Sequence, residues 1–295
     1  MTNLWPYLTE EKFAKSGAVN VNFVFNENNI YISDNHLCAL WGWLQQCSPN
    51  EEYSFIHIDH HKDLKIPNLI TNLKVNDNLS SQQKENILAN LRTIDTAKMI
   101  DDFLAHRETY KNICIEPYLA YDTYIQIAYW IFPDWFSEMS FLTKECPYPD
   151  IFDKCRLIPA SNGCDDFERT ITDCKRMEFK DFCDVHKAIA GIAKNQCKHK
   201  VILNIDIDYF FDCDNGNTRD AYWTEDKIDS LVNLLKEALD SGNIQVLTIA
   251  MSPSCCGKGQ IDGWKNSFDI TRRFLSVLSA SAKSEFIEKL EEKMP

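Results

Sequence analysis

Glycine and proline are scarce in this 295-residue sequence, at 9 and 10 residues, and no stretch is enriched in them. Nothing therefore reads as a flexible linker, and a single domain over residues 1–295 is expected. No apolar run reaches 18 residues, which argues against a membrane-spanning helix. The first 17 residues mix acids with bases and hold no apolar stretch, which argues against a secretory signal. The 12 cysteines form no CxxC pair and, apart from the neighbours Cys255 and Cys256, are scattered. Reduced thiols in a cytoplasmic setting are the expectation, many of them buried as small hydrophobes. Basic residues are also short: 31 Lys and Arg stand against 44 Asp and Glu, a net charge of −13. Nucleic-acid binders show a basic stripe, because neutralising phosphates supplies most of their affinity. None is present, so neither nucleic acid nor membrane is an expected partner.

What is there is ordinary globular composition, 44% hydrophobic, with runs that alternate between two periods. Residues 21–25, 53–58, 155–158, 201–205 and 244–251 read as buried strands. The runs VILNI and IQVLTIAM are β-branched and barely alternate, as strands covered on both faces do. Residues 37–46, 81–91, 96–105 and 227–238 repeat apolar side chains at helical spacing, and 267–289 reads as one or two further helices. Strands alternating with helices predict a mainly parallel sheet in a three-layer α/β/α fold.

The chemistry sits where two of these strands end. Residues 53–58 run into Asp59-His60-His61-Lys62-Asp63, and 201–205 run into Asp206-Ile207-Asp208. In open α/β sheets, sites form beyond the carboxyl ends of the strands. Extended backbone sends residues i and i+2 to one side, so Asp59, His61 and Asp63 can converge, as can Asp206 and Asp208. Four carboxylates facing one another repel and lose solvation unless a cation joins them. A carboxylate-rich set with few imidazoles suits Mn²⁺, whereas structural zinc prefers Cys and His. A pair of such ions activates water at neutral pH, so hydrolysis without a covalent enzyme intermediate is the expected reaction class.

These residues resemble a known superfamily. Asp59–Asp63 is similar to the Asp-Ala-His-x-Asp motif of arginases and related ureohydrolases, and Asp206-Ile207-Asp208 to their Asp-x-Asp motif. A narrower family, which includes peptide arginases acting on ribosomally made peptides, is matched more closely. Ile32-Ser33-Asp34-Asn35-His36 resembles its acid-acid-His segment, and His57-Ile58-Asp59-His60-His61-Lys62-Asp63-Leu64 its His-Phe-Asp-Ser-His-Pro-Asp-Leu block. Leu203–Phe210 resembles its Ile-Asp-Leu-Asp-Tyr-Phe block, and Ala250-Met251-Ser252-Pro253 its Ala-Arg-Ser-Pro segment. The resemblance implies an arginase-deacetylase fold and two Mn²⁺ ions held by His36, Asp59, His61, Asp63, Asp206 and Asp208. It implies conversion of peptidyl arginine to ornithine with release of urea, Asp63 both ligating metal and orienting the attacking water.

Departures from the pattern bear on the substrate. Lys65 stands where enzymes of free arginine carry Asn, and Phe211 and Asp212 stand where they carry Asp and Pro. A Glu is expected directly after Ser-Pro, where a carboxylate could grip a guanidinium at two points. This chain has Ser254. Either another acid holds the guanidinium, or the substrate is bound poorly, or Ser254 replaces a native acid. His106, in a helical pattern, could carry a proton to the leaving amine, though a surface histidine is the plainer reading. Residues 129–135 could line a peptide groove or belong to the core. Asp212-Cys213-Asp214-Asn215-Gly216 reads as a turn, since its spacing does not fit a calcium loop. Two rivals stand beside a dimanganese peptide arginase: a zinc deacetylase or amidohydrolase on the same fold, and a catalytically impaired peptide-binding variant.

Overall fold

Strands β1 (Val24–Glu27), β2 (Ile30–Ser33), β3 (Ser54–Asp59), β4 (Glu138–Thr143), β5 (Val201–Asp206) and β6 (Ile244–Ala250) pair into one sheet. Their order is β1-β2-β6-β5-β3-β4. The structure, a computed structural model, describes Phe13 and residues 21–61, 63–64, 121–143, 182–211 and 223–295. Among the described strands, only β1 and β2 pair antiparallel, and every other neighbouring pair is parallel. The β1–β2 hairpin turns through Asn28 at φ 56, a left-handed conformation that Asn tolerates.

Helices cover both faces of the sheet. Helices α3 (Phe182–Ala193), α4 (Glu225–Asp240), α5 (Gly259–Phe274) and α6 (Ala280–Lys293) share one apolar cluster with Ile58, Leu203, Ile205 and Ile249. Helices α1 (Leu37–Gln46) and α2 (Tyr124–Ile131) share the other with Phe55, Ile202 and Val246. Period-two alternation along a doubly covered strand divides the side chains in this way. Burying each such Leu, Ile or Phe contributes about 1.5–3 kcal/mol. The result is an α/β fold with a mostly parallel sheet, compatible with three α/β/α layers. Among the described residues, no helix is long and apolar enough to cross a membrane.

Helix α1 comes unusually near the sheet at Gly42. A Cβ there would lie 3.0 Å from Tyr31 Cγ and 3.1 Å from Thr248 Cγ2. The missing side chain lets the following residue, Trp43, donate its indole N–H to Thr248 Oγ1 across 3.2 Å.

The strands expected at 53–58, 201–205 and 244–251 are present within one residue at either end, and that at 21–25 is shifted to Val24–Glu27. The helix expected at 37–46 has those bounds. The stretch 267–289 is two helices, α5 and α6, parted by a 3-10 turn at Leu275–Val277. Ser279 closes the gap, its Oγ accepting from Ala282 N at the start of α6. Strands β2 and β4 and helices α2 and α3 were not expected from sequence. Tyr129 and Trp135 are core residues, Trp135 donating its indole N–H to Ser48 O at 2.8 Å. The segments 81–91, 96–105, 155–158 and 212–216 lie outside the described residues.

Candidate metal centre

Strands β2, β3, β5 and β6 run parallel, so their carboxyl ends share one edge of the sheet. Among the described strands the order reverses between β3, whose successor lies on one side, and β5, whose successor lies on the other. Ligand crevices form at such a reversal. His36 follows β2, Asp59 ends β3, Asp206 ends β5 and Ser252 follows β6.

Local turns aim each side chain. Asp34, fully buried, accepts from Asn22 N and Nδ2 at 2.8 Å and from Phe23 N at 3.2 Å. Burial pushes its carboxyl up to about 6 against those hydrogen bonds. Asn35 Oδ1 accepts from Leu37 N at 2.9 Å, fixing the corner where His36 enters α1. Asp59 Oδ1 accepts from His61 N at 2.6 Å, and Asp206 Oδ1 from Asp208 N at 2.9 Å. Asp208 thus lies in a 3-10 turn, Ile207–Phe210, rather than on extended backbone. Asp63 has φ 51 and is left-handed, as is Ser252 at φ 44. Convergence comes from carboxylates folding the chain back on themselves, and not from the strand alternation expected for these motifs. Left-handed backbone costs about 1–2 kcal/mol per non-glycine residue and persists only where its surroundings fix it.

Six of the expected ligands meet. His36 Nδ1 is 2.7 Å from Asp63 Oδ2, 3.2 Å from Asp206 Oδ2 and 3.3 Å from Asp59 Oδ2. His61 Nδ1 is 3.1 Å from Asp208 Oδ2 and 3.6 Å from Asp59 Oδ1. All but His61 are buried, and its side chain is 38% exposed. Among the described residues, Asp59 belongs to each of the three His/Asp groupings: with His36 and Asp206, with His61 and Asp208, and with His57 and Asp63.

Protons alone hold this much charge together only by large shifts. Burial pulls His36 down, but Asp206, Asp59 and Asp63 outweigh it and push it up to about 10. Burial likewise opposes His61, yet Asp208 and Asp59 hold it far above the usual imidazole range. Burial would raise Asp59, but His36, His57 and His61 keep it well below the carboxylate range. Asp206 is pushed well up by burial and then by Asp208. Burial and the Asp59 charge take Asp63 to about 6 despite His36.

The arrangement fits a metal ion. One His36 N–H cannot serve three carboxylate oxygens at once. Asp59 Oδ2, Asp208 Oδ2 and His36 Nε2 are buried and make no hydrogen bond. An octahedral ion with bonds of about 2.1 Å separates adjacent donor atoms by about 3.0 Å, and a tetrahedral one by about 3.4 Å. The donor separations of 2.7, 3.1, 3.2, 3.3 and 3.6 Å bracket those edges. A cation would displace the protons, since ligands bind as carboxylate and neutral imidazole.

Other expected site residues fare differently. Ser254 is exposed on the 3-10 turn Pro253–Cys255, its Oγ 3.9 Å from Cys255 Sγ. Lys65 and His106 lie outside the described residues. It is Ser252 that reaches the cluster, donating its hydroxyl to Asp206 Oδ2 at 2.7 Å. Helix α5 secures that turn through Gly263, where a Cβ would fall 1.9 Å from Pro253 O. Sequence reading also gave no role to His57, whose Nε2 lies 3.2 Å from Asp59 Oδ2, nor to Asn204, Thr248 and Tyr124 behind it. The one signal of His57, Asn204 and Thr248 is polarity within apolar strand runs, and Tyr124 opens helix α2.

No protein-family model matches the chain, and no curated protein matches it.

Proposed function

We propose that the chain is a dimanganese hydrolase of the arginase-deacetylase type. It converts arginine residues in a ribosomally made peptide to ornithine with release of urea. The observation that carries this reading is the position of Asp59, common to a His36 grouping and a His61 grouping. The motif resemblance of residues 32–36, 57–64 and 203–210 supports it, and the net charge of −13 favours encounter with a cationic substrate. Four carboxylates against two imidazoles favour manganese over zinc.

Two divalent ions bound here would supply Lewis acidity and lower the pKa of a water. His36, Asp63 and Asp206 would hold one ion, His61 and Asp208 the other, and Asp59 both. Asp63, 2.7 Å from His36, orients the attacking water and receives its proton. The water oxygen adds to the guanidinium carbon. The bond from that carbon to the side-chain nitrogen then breaks, and the proton passes to the departing amine with His106 as candidate carrier. Urea and ornithine result. Ser254 and Lys65 are the candidates for substrate contact.

Incubating the Mn²⁺-loaded chain with arginine-containing peptides and reading masses tests this. The expected result is a loss equal to urea less one water per arginine, with free arginine untouched. Conversion only after Ser254→Glu, with tight peptide binding before it, would assign the impaired peptide-binding reading. No loss with either form overturns the arginine chemistry.

A further inference from the structure

One row of polar residues crosses the middle of the sheet where apolar side chains would be expected. In register, His57 of β3 faces Asn204 of β5, and Asn204 faces Thr248 of β6. All three are buried, with His57 and Asn204 fully so. Each lies two residues before the strand's end, and residues i and i+2 share a face. The row is therefore the layer directly beneath Asp59 and Asp206.

The hydrogen bonds in this row have a direction that chemistry imposes. Trp43 Nε1–H can only donate, and it donates to Thr248 Oγ1 at 3.2 Å. The Thr248 hydroxyl proton is then free to donate onward, to Asn204 Oδ1 at 2.6 Å. That length belongs to O–H···O and is short for N–H···O, so it is the carbonyl oxygen of Asn204 that faces Thr248. The amide nitrogen must face the other way. Its two N–H groups go to Tyr124 Oη at 2.8 Å and to His57 Nδ1 at 2.9 Å. A flipped amide would present two donors to Thr248, leaving its hydroxyl proton without an acceptor in the row. His57 Nδ1 is consequently an acceptor, and the ring proton resides on Nε2, 3.2 Å from Asp59 Oδ2. The contact is close though not aligned as a full hydrogen bond.

We infer that the Trp43–Thr248–Asn204 relay fixes His57 as the Nε2–H tautomer, making His57 a positioning residue that steadies the Asp59 carboxylate instead of a metal ligand. The inference rests on the metal reading given above. It decides between two roles that geometry alone permits, because His57, Asp59 and Asp63 also group as ligands could. A protonated Nε2 cannot bind an ion, and Nδ1 is occupied. An N–H held close to a ligating carboxylate supports its charge, and partners of this kind are commonly worth about 10–100-fold in metal affinity.

Two measurements on the full chain test it. Ring ¹⁵N spectra of metal-free protein, with His57 assigned through His57→Gln, report the tautomer directly. The expected spectrum has His57 protonated at Nε2 and bare at Nδ1. Thr248→Val should give a mixture of both tautomers, and Thr248→Ser should restore the single one. Mn²⁺ titration then reads the consequence. His57→Phe should weaken binding by about 10–100-fold, Thr248→Val by a smaller factor, and Thr248→Ser should recover the wild-type value. A ring protonated at Nδ1, or Mn²⁺ affinity unchanged in both His57→Phe and Thr248→Val, overturns the inference. Wild-type protein that takes up no Mn²⁺ overturns the metal reading instead, while the metal-free spectrum still decides the tautomer.

Discussion

Ser252, in left-handed backbone at φ 44, donates its hydroxyl to Asp206 Oδ2 across 2.7 Å. Strain is retained at this residue because the turn points its Oγ at a carboxylate of the His36 grouping. Ser252→Gly removes the hydroxyl and relieves the backbone at once. We expect Mn²⁺ affinity to fall about 10-fold, with thermal stability of the metal-free protein equal or higher. Titration and melting of the same sample check both halves. An unchanged affinity would remove Ser252 from the site.

The pKa shifts predict opposite pH responses for the metal-free fold and for metal binding. His36 is raised from 6.5 to about 10, so its imidazolium stabilises the fold fully below 6.5, and this is lost as pH rises to about 10. Asp63 is raised from 3.8 to about 6, and its contribution is lost as pH climbs through that value. Asp59 is lowered, so it acts only at the acid end, losing its contribution as pH falls below the ordinary carboxylate range. Metal-free protein should therefore melt at falling temperature between about pH 6 and 9. Mn²⁺ must displace the His36 proton, so the rise in melting temperature on adding Mn²⁺ should grow over the same window. A rise that shrinks with pH would contradict this.

Helix α5 should be intolerant of any side chain at Gly263. A Cβ at 1.9 Å from Pro253 O cannot be accommodated without moving the turn that carries Ser252. Gly263→Ala should cost about 1–3 kcal/mol, as overpacking does, and should lower Mn²⁺ affinity together with Ser252→Gly. Gly259, at φ 84 with no atom within 4 Å of a built Cβ, offers a control on the same helix. Gly259→Ala should cost about 1 kcal/mol in backbone strain and leave Mn²⁺ affinity intact. Equal affinities across both variants would refute the link between α5 and the site.

The parts of this site that were legible in the sequence are those where one residue type announces itself. VILNI and IQVLTIAM mark buried strands because nearly every position is apolar, and acids directly after a buried strand mark its ligand end. Strand β4 was hidden because it pairs only with β3 among the described strands, and its Glu138 is exposed. Helix α2, YIQIAYWI, is apolar on nearly every side and lacks the polar face by which helices are recognised. The relay beneath Asp59 was hidden for a deeper reason. His57, Asn204 and Thr248 are far apart in sequence, and only strand register brings them into one row. Ser254 drew attention through the motif it departs from, whereas the hydrogen bond to the cluster comes from Ser252, whose role depends on a backbone angle no spacing encodes.

Anomalous scattering at the manganese edge, from crystals grown with Mn²⁺, tests the central claim most directly. Two peaks are predicted, one among His36, Asp59, Asp63 and Asp206, the other among His61, Asp59 and Asp208, with His57 ligating neither. A cluster with no anomalous peak, or with a single one held by His57, would contradict it.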